Sequence, residues 1–72
     1  MQNIQENIST NLTKLKTTLN IKSFDVIGEG VNMKGQKLRR IARNEQSPKI
    51  IEVIAICDFF GVNPIDFLSK KI

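Results

Sequence analysis

The sequence predicts an all-α fold, a compact domain of five short helices spanning residues 1–72. Apolar residues recur at spacings of three and four near the start of the chain, which is the period of one helix face. Residues that begin or end helices then recur at short intervals, namely Ser23, Asn32, Ser47 with Pro48, Gly61, and Asn63 with Pro64. A chain of 72 residues is long enough for one domain at most.

The first two helices are predicted from one apolar face and two terminal residues. The apolar face consists of Ile8, Leu12, Leu15 and Leu19. This first helix should end near Asn20, because asparagine tolerates the left-handed conformation found at helix ends. Ser23 is a candidate N-cap for a short second helix. The negative charge of Asp25, in the first turn, interacts favourably with the helix dipole.

The third and fourth helices are separated by a Ser-Pro pair. Met33 to about Asn44 is predicted to be helical, with Asn32 at the preceding turn and Leu38 and Ile41 pointing inward. Ser47 is predicted to cap the fourth helix and Pro48 to occupy its first position, as proline prefers. That helix, about Lys49 to Phe60, is apolar on almost every side.

A fifth helix and a candidate core complete the prediction. Gly61 should end the fourth helix, and Asn63 with Asp66 approximates a capping box around Pro64. The last helix then continues to Leu68. The predicted core is Leu12, Leu15, Leu19, Val26, Ile27, Val31, Leu38, Ile41, Ile50, Val53, Ile56, Cys57, Phe60, Val62 and Phe67.

Positive charge is concentrated in one segment of the chain. The net charge is +4, but residues 34–49 hold six cations and one acid and therefore carry +5. A local basic surface attracts phosphate backbones. The plainer interpretation is a solvated helix face, which is what most charge runs prove to be. The position of these cations on a helix that follows a tight turn favours nucleic acid.

The composition argues against an enzyme, a metal protein and a membrane protein. The chain has no histidine, no plausible activated nucleophile and no paired-carboxylate site, so no catalytic residues are predicted. One cysteine without histidine cannot close a structural zinc site, and no metal or cofactor is expected. Its one cysteine, Cys57, is expected in the core of a protein from the reducing cytoplasm. The N-terminal residues lack the features of a signal peptide, and no apolar run reaches membrane length. A cytoplasmic protein is predicted.

From Ser23 to Leu68 the chain resembles the Cro/C1-type helix-turn-helix domains of phage repressors and their bacterial relatives. The similarity covers about two-thirds of the 72 residues and has no gaps. It is carried by the joint spacing of Ile27-Gly28, Asn32, Leu38, Ile41, Asn44 and Pro48. The resemblance implies a lambda-repressor-like fold whose helix-turn-helix covers about residues 23–44.

The resemblance also implies that the third helix is a recognition helix that enters the DNA major groove. It implies that base edges face Lys34, Gly35, Gln36 and Arg40. It implies that phosphates lie nearer Lys37, Arg39 and Arg43. Glutamine can pair bidentately with adenine and arginine with guanine, whereas the other cations would supply salt-dependent affinity.

Two departures from the family pattern and one apolar surplus point towards a protein partner. Phe24 stands where the family often has a polar residue that holds a phosphate, and it is either a core residue or an exposed partner contact. Gly35 stands at a position where the family pattern has a side chain that is expected to contact a base, so this contact is missing here. Ile51, Ile54 and Phe59 have no core role in the family pattern, so they either pack on the first or last helix or form a partner surface such as a homodimer interface.

Two regulatory functions are compatible with these residues. The favoured one is a modulator of repression in a phage lysis-lysogeny switch, an antirepressor that binds a cognate phage-type repressor and retains some affinity for operator DNA. The alternative is an autonomous, dimeric Cro-like repressor that binds double-stranded operator DNA. An enzyme is the poorest of the three candidates, because the chain lacks histidine and a paired-carboxylate site.

Overall fold

A computed structural model of the chain describes residues 4–72 and consists of five α-helices. They are α1 (Ile4–Thr18), α2 (Phe24–Val31), α3 (Gly35–Ala42), α4 (Ile50–Phe60) and α5 (Pro64–Ser69). Residues 4–72 contain no β-strand, and the molecule measures 32 × 22 × 21 Å. The predicted compact, all-α arrangement of five helices is therefore confirmed.

The helices pack around one shared apolar core. α1 packs against α3 and α5, while α2 packs against α3 and α4, and α4 also contacts α5. The buried apolar residues are Ile8, Leu12, Ile27, Val31, Leu38, Ile41, Val53, Ile56, Cys57 and Phe67. Every helix contributes at least one of them, so burial of this core orients all five helices. None of the helices in residues 4–72 is both long and apolar enough to cross a membrane.

Left-handed residues follow four of the helices. Asn20, Asn32 and Asn44 have φ values of 56°, 58° and 63°, and Gly61 has a φ of 70°. Asparagine and glycine adopt this conformation at lower cost than other residues. The predictions that Asn20 follows α1, that Asn32 lies at a turn and that Gly61 ends α4 are confirmed.

Two predicted helix boundaries are wrong. α3 begins at Gly35 and ends at Ala42, because Asn32 is left-handed and Lys34 is extended, with φ −72° and ψ 137°. The N-cap of α4 is Lys49 rather than Ser47, so Pro48 precedes the helix instead of opening it. Glu52, in the first turn of α4, accepts a hydrogen bond from the Lys49 backbone N–H to its Oε1 at 2.7 Å. This bond satisfies a backbone donor at the start of the helix, as in one half of a capping box.

Three predicted core residues lie on the surface. Leu19 is 54 % exposed because it follows the last residue of α1, where the chain leaves the helical path. Val26 is 51 % exposed, since its neighbour Ile27 is the residue that α2 turns towards the core. Ile50 is 66 % exposed at the first position of α4. Leu15, Phe60 and Val62 are partly buried and pack against the core from its edge.

Buried polar side chains on α1 hold the C-terminal ends of α3 and α5. Asn11 is fully buried; its Nδ2 donates to the carbonyls of Phe67 and Lys70 at 2.8 Å each, and its Oδ1 accepts from the Ile72 N–H at 2.9 Å. The Ser9 hydroxyl donates to the carbonyl of Ala42, the last residue of α3, at 2.5 Å. These bonds satisfy carbonyls that a helix end leaves without a partner. They also fix α3 relative to α1.

Candidate functional site

The exposed face of α3 is polar and basic. Gln36, Arg39, Arg40 and Arg43 are all exposed and follow each other at spacings that keep them on one side of the helix. Leu38 and Ile41 lie on the opposite side and are buried. Lys34, just before the helix, is also exposed. α3 therefore presents four cations and one amide to solvent while its apolar side anchors it to the core.

Gly35 does not belong to this exposed face. It is buried, and a Cβ added there would lie 3.0 Å from the Asp25 backbone nitrogen and closer still to the Asp25 carboxylate. Gly28 is more restricted, because a Cβ there would lie 2.3 Å from the carbonyl oxygen of Met33. The two glycines allow α2 and the start of α3 to approach closely. Gly35 is thus buried where the two helices pack.

Lys37 is held against α4 by an ion pair. Its Nζ lies 2.5 Å from Glu52 Oε2, and the two side chains are 30 % and 15 % exposed. Burial by itself would raise the pKa of Glu52. The hydrogen bonds from Lys37 and the Lys49 N–H, together with the positive charges of both lysines, outweigh burial, so the pKa of Glu52 lies below its ordinary value. Lys37 is therefore partly neutralised, whereas the four other cations on and beside α3, Lys34, Arg39, Arg40 and Arg43, are exposed.

A basic cleft lies between α3 and the junction of α1 with α2. It has a volume of about 380 Å³. Its lining residues are Thr13, Lys16, Thr17, Lys22, Ser23, Phe24, Arg39, Ala42 and Arg43. Four of these carry positive charge, three carry hydroxyl groups and none is acidic. The cleft thus concentrates cations and hydrogen-bond donors in one concave surface, which suits an anionic ligand.

The N-terminus of α2 opens towards the same cleft. Ser23 is the N-cap in an extended conformation, and its hydroxyl makes no capping hydrogen bond. Phe24 is half-buried and packs against the core, and the Lys16 ammonium lies 5.1 Å from the centre of its ring. Phe24 therefore forms part of the cleft wall and supports a cation above it. The first backbone N–H groups of α2 add positive potential to the cleft.

A second, smaller cleft lies on the other side of α3. It has a volume of about 220 Å³ and is lined by Lys34, Gln36, Lys37, Arg40 and Gln46. Two of its cations, Lys34 and Arg40, are exposed. The exposed face of α3 therefore stands as a ridge between two basic clefts. We call α3's exposed face together with the two clefts the basic surface.

The apolar residues of α4 that are predicted to bind a partner differ in how they pack. Ile51 and Ile54 are 71 % and 52 % exposed on α4. Phe59 instead covers Gly30 of α2, since a Cβ added to Gly30 would lie 2.2 Å from its ring. Phe59 also contacts Phe60 edge to face, with 5.1 Å between ring centres. The contact with α2 gives Phe59 a packing role that the sequence pattern did not assign to it.

Sequence reasoning missed Lys16 and Lys22 as members of the basic surface. Both lie outside the charged segment 34–49, and only the packing of α1 against α3 brings them beside Arg39 and Arg43. The spacing of Lys16 from the apolar face of α1 could have placed it on the flank of that helix. Cys57 is fully buried, and burial raises the pKa of its thiol, so it has no place in this site.

Comparisons with known proteins supply no family for the chain. No protein-family model matches it, and neither curated proteins nor solved structures yielded a match. Within residues 4–72 no group of three or more histidine, cysteine, aspartate or glutamate side chains is placed to hold a metal ion. The geometry of the basic surface is therefore the basis on which a function can be argued.

Proposed function

We propose that the protein is a small helix-turn-helix transcriptional regulator of the phage-repressor type that binds double-stranded DNA through its basic surface. The observation that carries the proposal is the ridge of exposed residues on α3 flanked by two basic clefts. Double-stranded DNA is a polyanion with regular grooves. A narrow helix between two basic clefts would fit into such a groove.

In this proposal α2 and α3 are the two helices of the motif, and α3 enters the major groove. Gln36, in the first turn of α3, and Arg40, one turn further on, would meet base edges, where they can pair with adenine and guanine. Lys34, which precedes the first residue of α3, would lie at the same end of the helix as Gln36. Arg39 and Arg43 lie with Lys16 and Lys22 in the larger cleft, which would receive the phosphate backbone.

Two departures from the family pattern have structural explanations that favour DNA as the ligand. Phe24 packs against the core, and the Lys16 ammonium lies 5.1 Å from the centre of its ring. In this proposal Lys16 would make the phosphate contact that a polar side chain makes in the family that the chain resembles. Gly35 packs closely against Asp25, which accounts for a small residue at this position. Neither residue places an apolar group on the exposed face of α3, so neither opposes DNA binding. Lys37 would be a weak phosphate contact because Glu52 already pairs with it.

Modulation of a cognate phage-type repressor is the second candidate function. The observation in its favour is the exposure of Ile51 and Ile54 on α4, outside the basic surface. An exposed apolar face can bind another protein while the basic surface meets DNA or an acidic area of that protein. In this candidate the chain would act as an antirepressor with its own residual DNA affinity.

A gel-shift titration separates the two candidates. The protein is titrated onto DNA that flanks its own gene, first alone and then with the neighbouring repressor. A shift by the protein alone that weakens steeply with salt supports DNA binding. No shift alone, combined with loss of the repressor's own shift on mixing, would replace DNA binding by the antirepressor function. No effect in either titration would contradict both.

A further inference from the structure

The four cations of the larger basic cleft converge from three parts of the chain. Lys16 belongs to α1, Lys22 to the segment before α2, and Arg39 and Arg43 to α3 and its C-terminal end. Within residues 4–72 no ion pair engages any of the four. Because like charges that share one concavity repel each other, this arrangement has an electrostatic cost that a bound anion would offset.

The cleft also offers hydrogen-bond donors that the fold does not use. The Thr17 hydroxyl donates to the Thr13 carbonyl at 3.0 Å, and the Thr13 hydroxyl lies 3.5 Å from the Ala42 carbonyl. The Ser23 hydroxyl, in contrast, makes no capping hydrogen bond at the start of α2. This hydroxyl and the first N–H groups of α2 are donors that an oxyanion can accept.

The size and charge of the cleft suit a compact anion with several charges. Its volume of about 380 Å³ lies in the lower part of the range of roughly 300–1,000 Å³ that is typical of small-molecule sites. A DNA strand presents its phosphates one after another along its length, so a single phosphate would face all four cations. A chain of two or three linked phosphates brings several negative charges into the same space and balances the cleft more closely.

We propose that the larger cleft is a binding site for a small polyphosphate anion, a diphosphate or triphosphate group that is free or carried by a nucleotide. Arg39 and Arg43 would bind its oxygens from α3, and Ser23 would donate to it from the start of α2. The Lys16 ammonium lies 5.1 Å from the centre of the Phe24 ring and covers the ring, so a nucleobase cannot stack there. The phosphate chain is therefore the part of the ligand that the cleft recognises.

Occupation of the cleft by this anion would regulate DNA binding. This consequence rests on the proposed function, because Arg39 and Arg43 are the residues that would receive the phosphate backbone. An anion held between these arginines and α2 would exclude a DNA phosphate from the same place. The protein would then be released from DNA as the concentration of the anion rises. The anion site itself does not depend on DNA binding.

Isothermal titration calorimetry of the full chain without DNA tests the anion site. Sodium triphosphate is expected to bind to a single site per chain, roughly tenfold or more tightly than sulfate at the same ionic strength. ATP is expected to bind as tightly as triphosphate, because the phosphate chain carries the recognition. An affinity for triphosphate no greater than that for sulfate would overturn the site. Much tighter binding of ATP would overturn recognition through the phosphate chain alone.

Single substitutions of equal charge locate the bound anion. Lys22→Gln and Lys16→Gln should each weaken triphosphate binding roughly tenfold, the loss expected for one hydrogen bond to a charged group. Lys22 is exposed outside the helices, so its replacement leaves the fold intact. Lys14→Gln is the matched control, because Lys14 lies on α1 outside the cleft and donates to the Ile72 carbonyl. Equal weakening by Lys22→Gln and Lys14→Gln would mean that net charge alone attracts the anion, and would overturn the site.

A competition experiment separates failure of the regulation from failure of the proposed function. Triphosphate is titrated into the complex of the protein with a DNA duplex, and sulfate at the same ionic strength is the control. Displacement of the DNA over the concentrations that fill the cleft supports the regulation. DNA binding that persists at saturating triphosphate would overturn the regulation and leave the proposed function standing. Triphosphate binding by a protein that binds no DNA would contradict the proposed function and leave the anion site standing.

Discussion

Lys37 Nζ and Glu52 Oε2 lie 2.5 Å apart and join α3 to the first turn of α4. The other carboxylate oxygen of Glu52 accepts the Lys49 N–H, so one side chain both caps α4 and holds a cation of α3. Among the cations on and beside α3, Lys37 is therefore bound within the protein. The others are exposed and can meet a ligand, namely Lys34, Arg39, Arg40 and Arg43.

Removal of the Glu52 charge should strengthen DNA binding. In Glu52→Gln the Lys37 ammonium loses its ion partner and becomes available to a phosphate, so the slope of log affinity against log salt should steepen by about 0.9. The comparison is made by fluorescence anisotropy on one DNA duplex. Asp66→Asn is the matched control, because it removes one acid on α5 beside Lys70, outside the basic surface. Equal affinities for Glu52→Gln and the wild type would show that Lys37 does not reach the DNA.

Glu52 should also make folding stability depend on acid pH. Because its pKa in the folded protein lies below its ordinary value of 4.5, the ionised form stabilises the fold above that pH, and the contribution is lost as pH falls through the folded pKa. The difference in free energy of unfolding between wild type and Glu52→Gln, measured by urea denaturation, should therefore shrink as pH falls. A difference that grows on acidification would contradict the assigned ion pair.

Gly28→Ala should destabilise the protein by about 1–3 kcal/mol, although alanine favours helices over glycine. The added Cβ would lie 2.3 Å from the Met33 carbonyl, which belongs to the backbone and cannot rotate away. Gly61→Ala is the contrasting variant, since its Cβ would enter open space and only the φ of 70° opposes it, at about 1 kcal/mol. Urea denaturation that ranks Gly61→Ala as the more harmful change would contradict the close approach of α2 to α3.

Asn11→Ala should cost about 1–3 kcal/mol of stability, because it leaves the carbonyls of Phe67 and Lys70 and the N–H of Ile72 without their partner. Thr10→Ala is the matched control, since Thr10 is exposed on the same helix. Thermal denaturation followed by circular dichroism gives both values. If the two variants melt together, the hydrogen bonds of Asn11 contribute little and α5 is held by its other contacts, which include buried Phe67 and the hydrogen bond from Asn7 to the Leu68 carbonyl.

The helix count and most of the core could be predicted because periodicity and caps are local signals. Leu12, Leu38, Ile56 and Phe67 were predicted to lie in the core and are fully buried. Leu19, Val26 and Ile50 were not, because burial at a helix end depends on which neighbour packs against it. The burial of Asn11 on α1 was not predicted, and its side chain is hydrogen-bonded to Phe67 and Lys70, which lie 56 and 59 positions away in the sequence. No local pattern encodes such a contact.

The candidate site was predicted only along α3. Exposure of Gln36, Arg39, Arg40 and Arg43 follows from the period of that helix, and the sequence was sufficient to indicate it. The packing role of Gly35 and the ion pair of Lys37 depend on Asp25 and Glu52, which belong to other helices. Lys16 and Lys22 enter the site for the same reason. Tertiary contacts therefore decide which cations remain free for a ligand.

The most direct test of DNA binding compares two double variants of equal charge. Arg39→Ala with Arg43→Ala removes two cations from the larger cleft, whereas Lys70→Ala with Lys71→Ala removes two cations that lie beside Asp66 and Glu6. Affinity for a DNA duplex is measured over a range of salt concentrations. We predict that the arginine variant binds more weakly, with a salt slope smaller by about 1–2, and that the lysine variant binds like the wild type. Equal loss in both variants would mean that net charge alone attracts the DNA, and would contradict a binding site on α3.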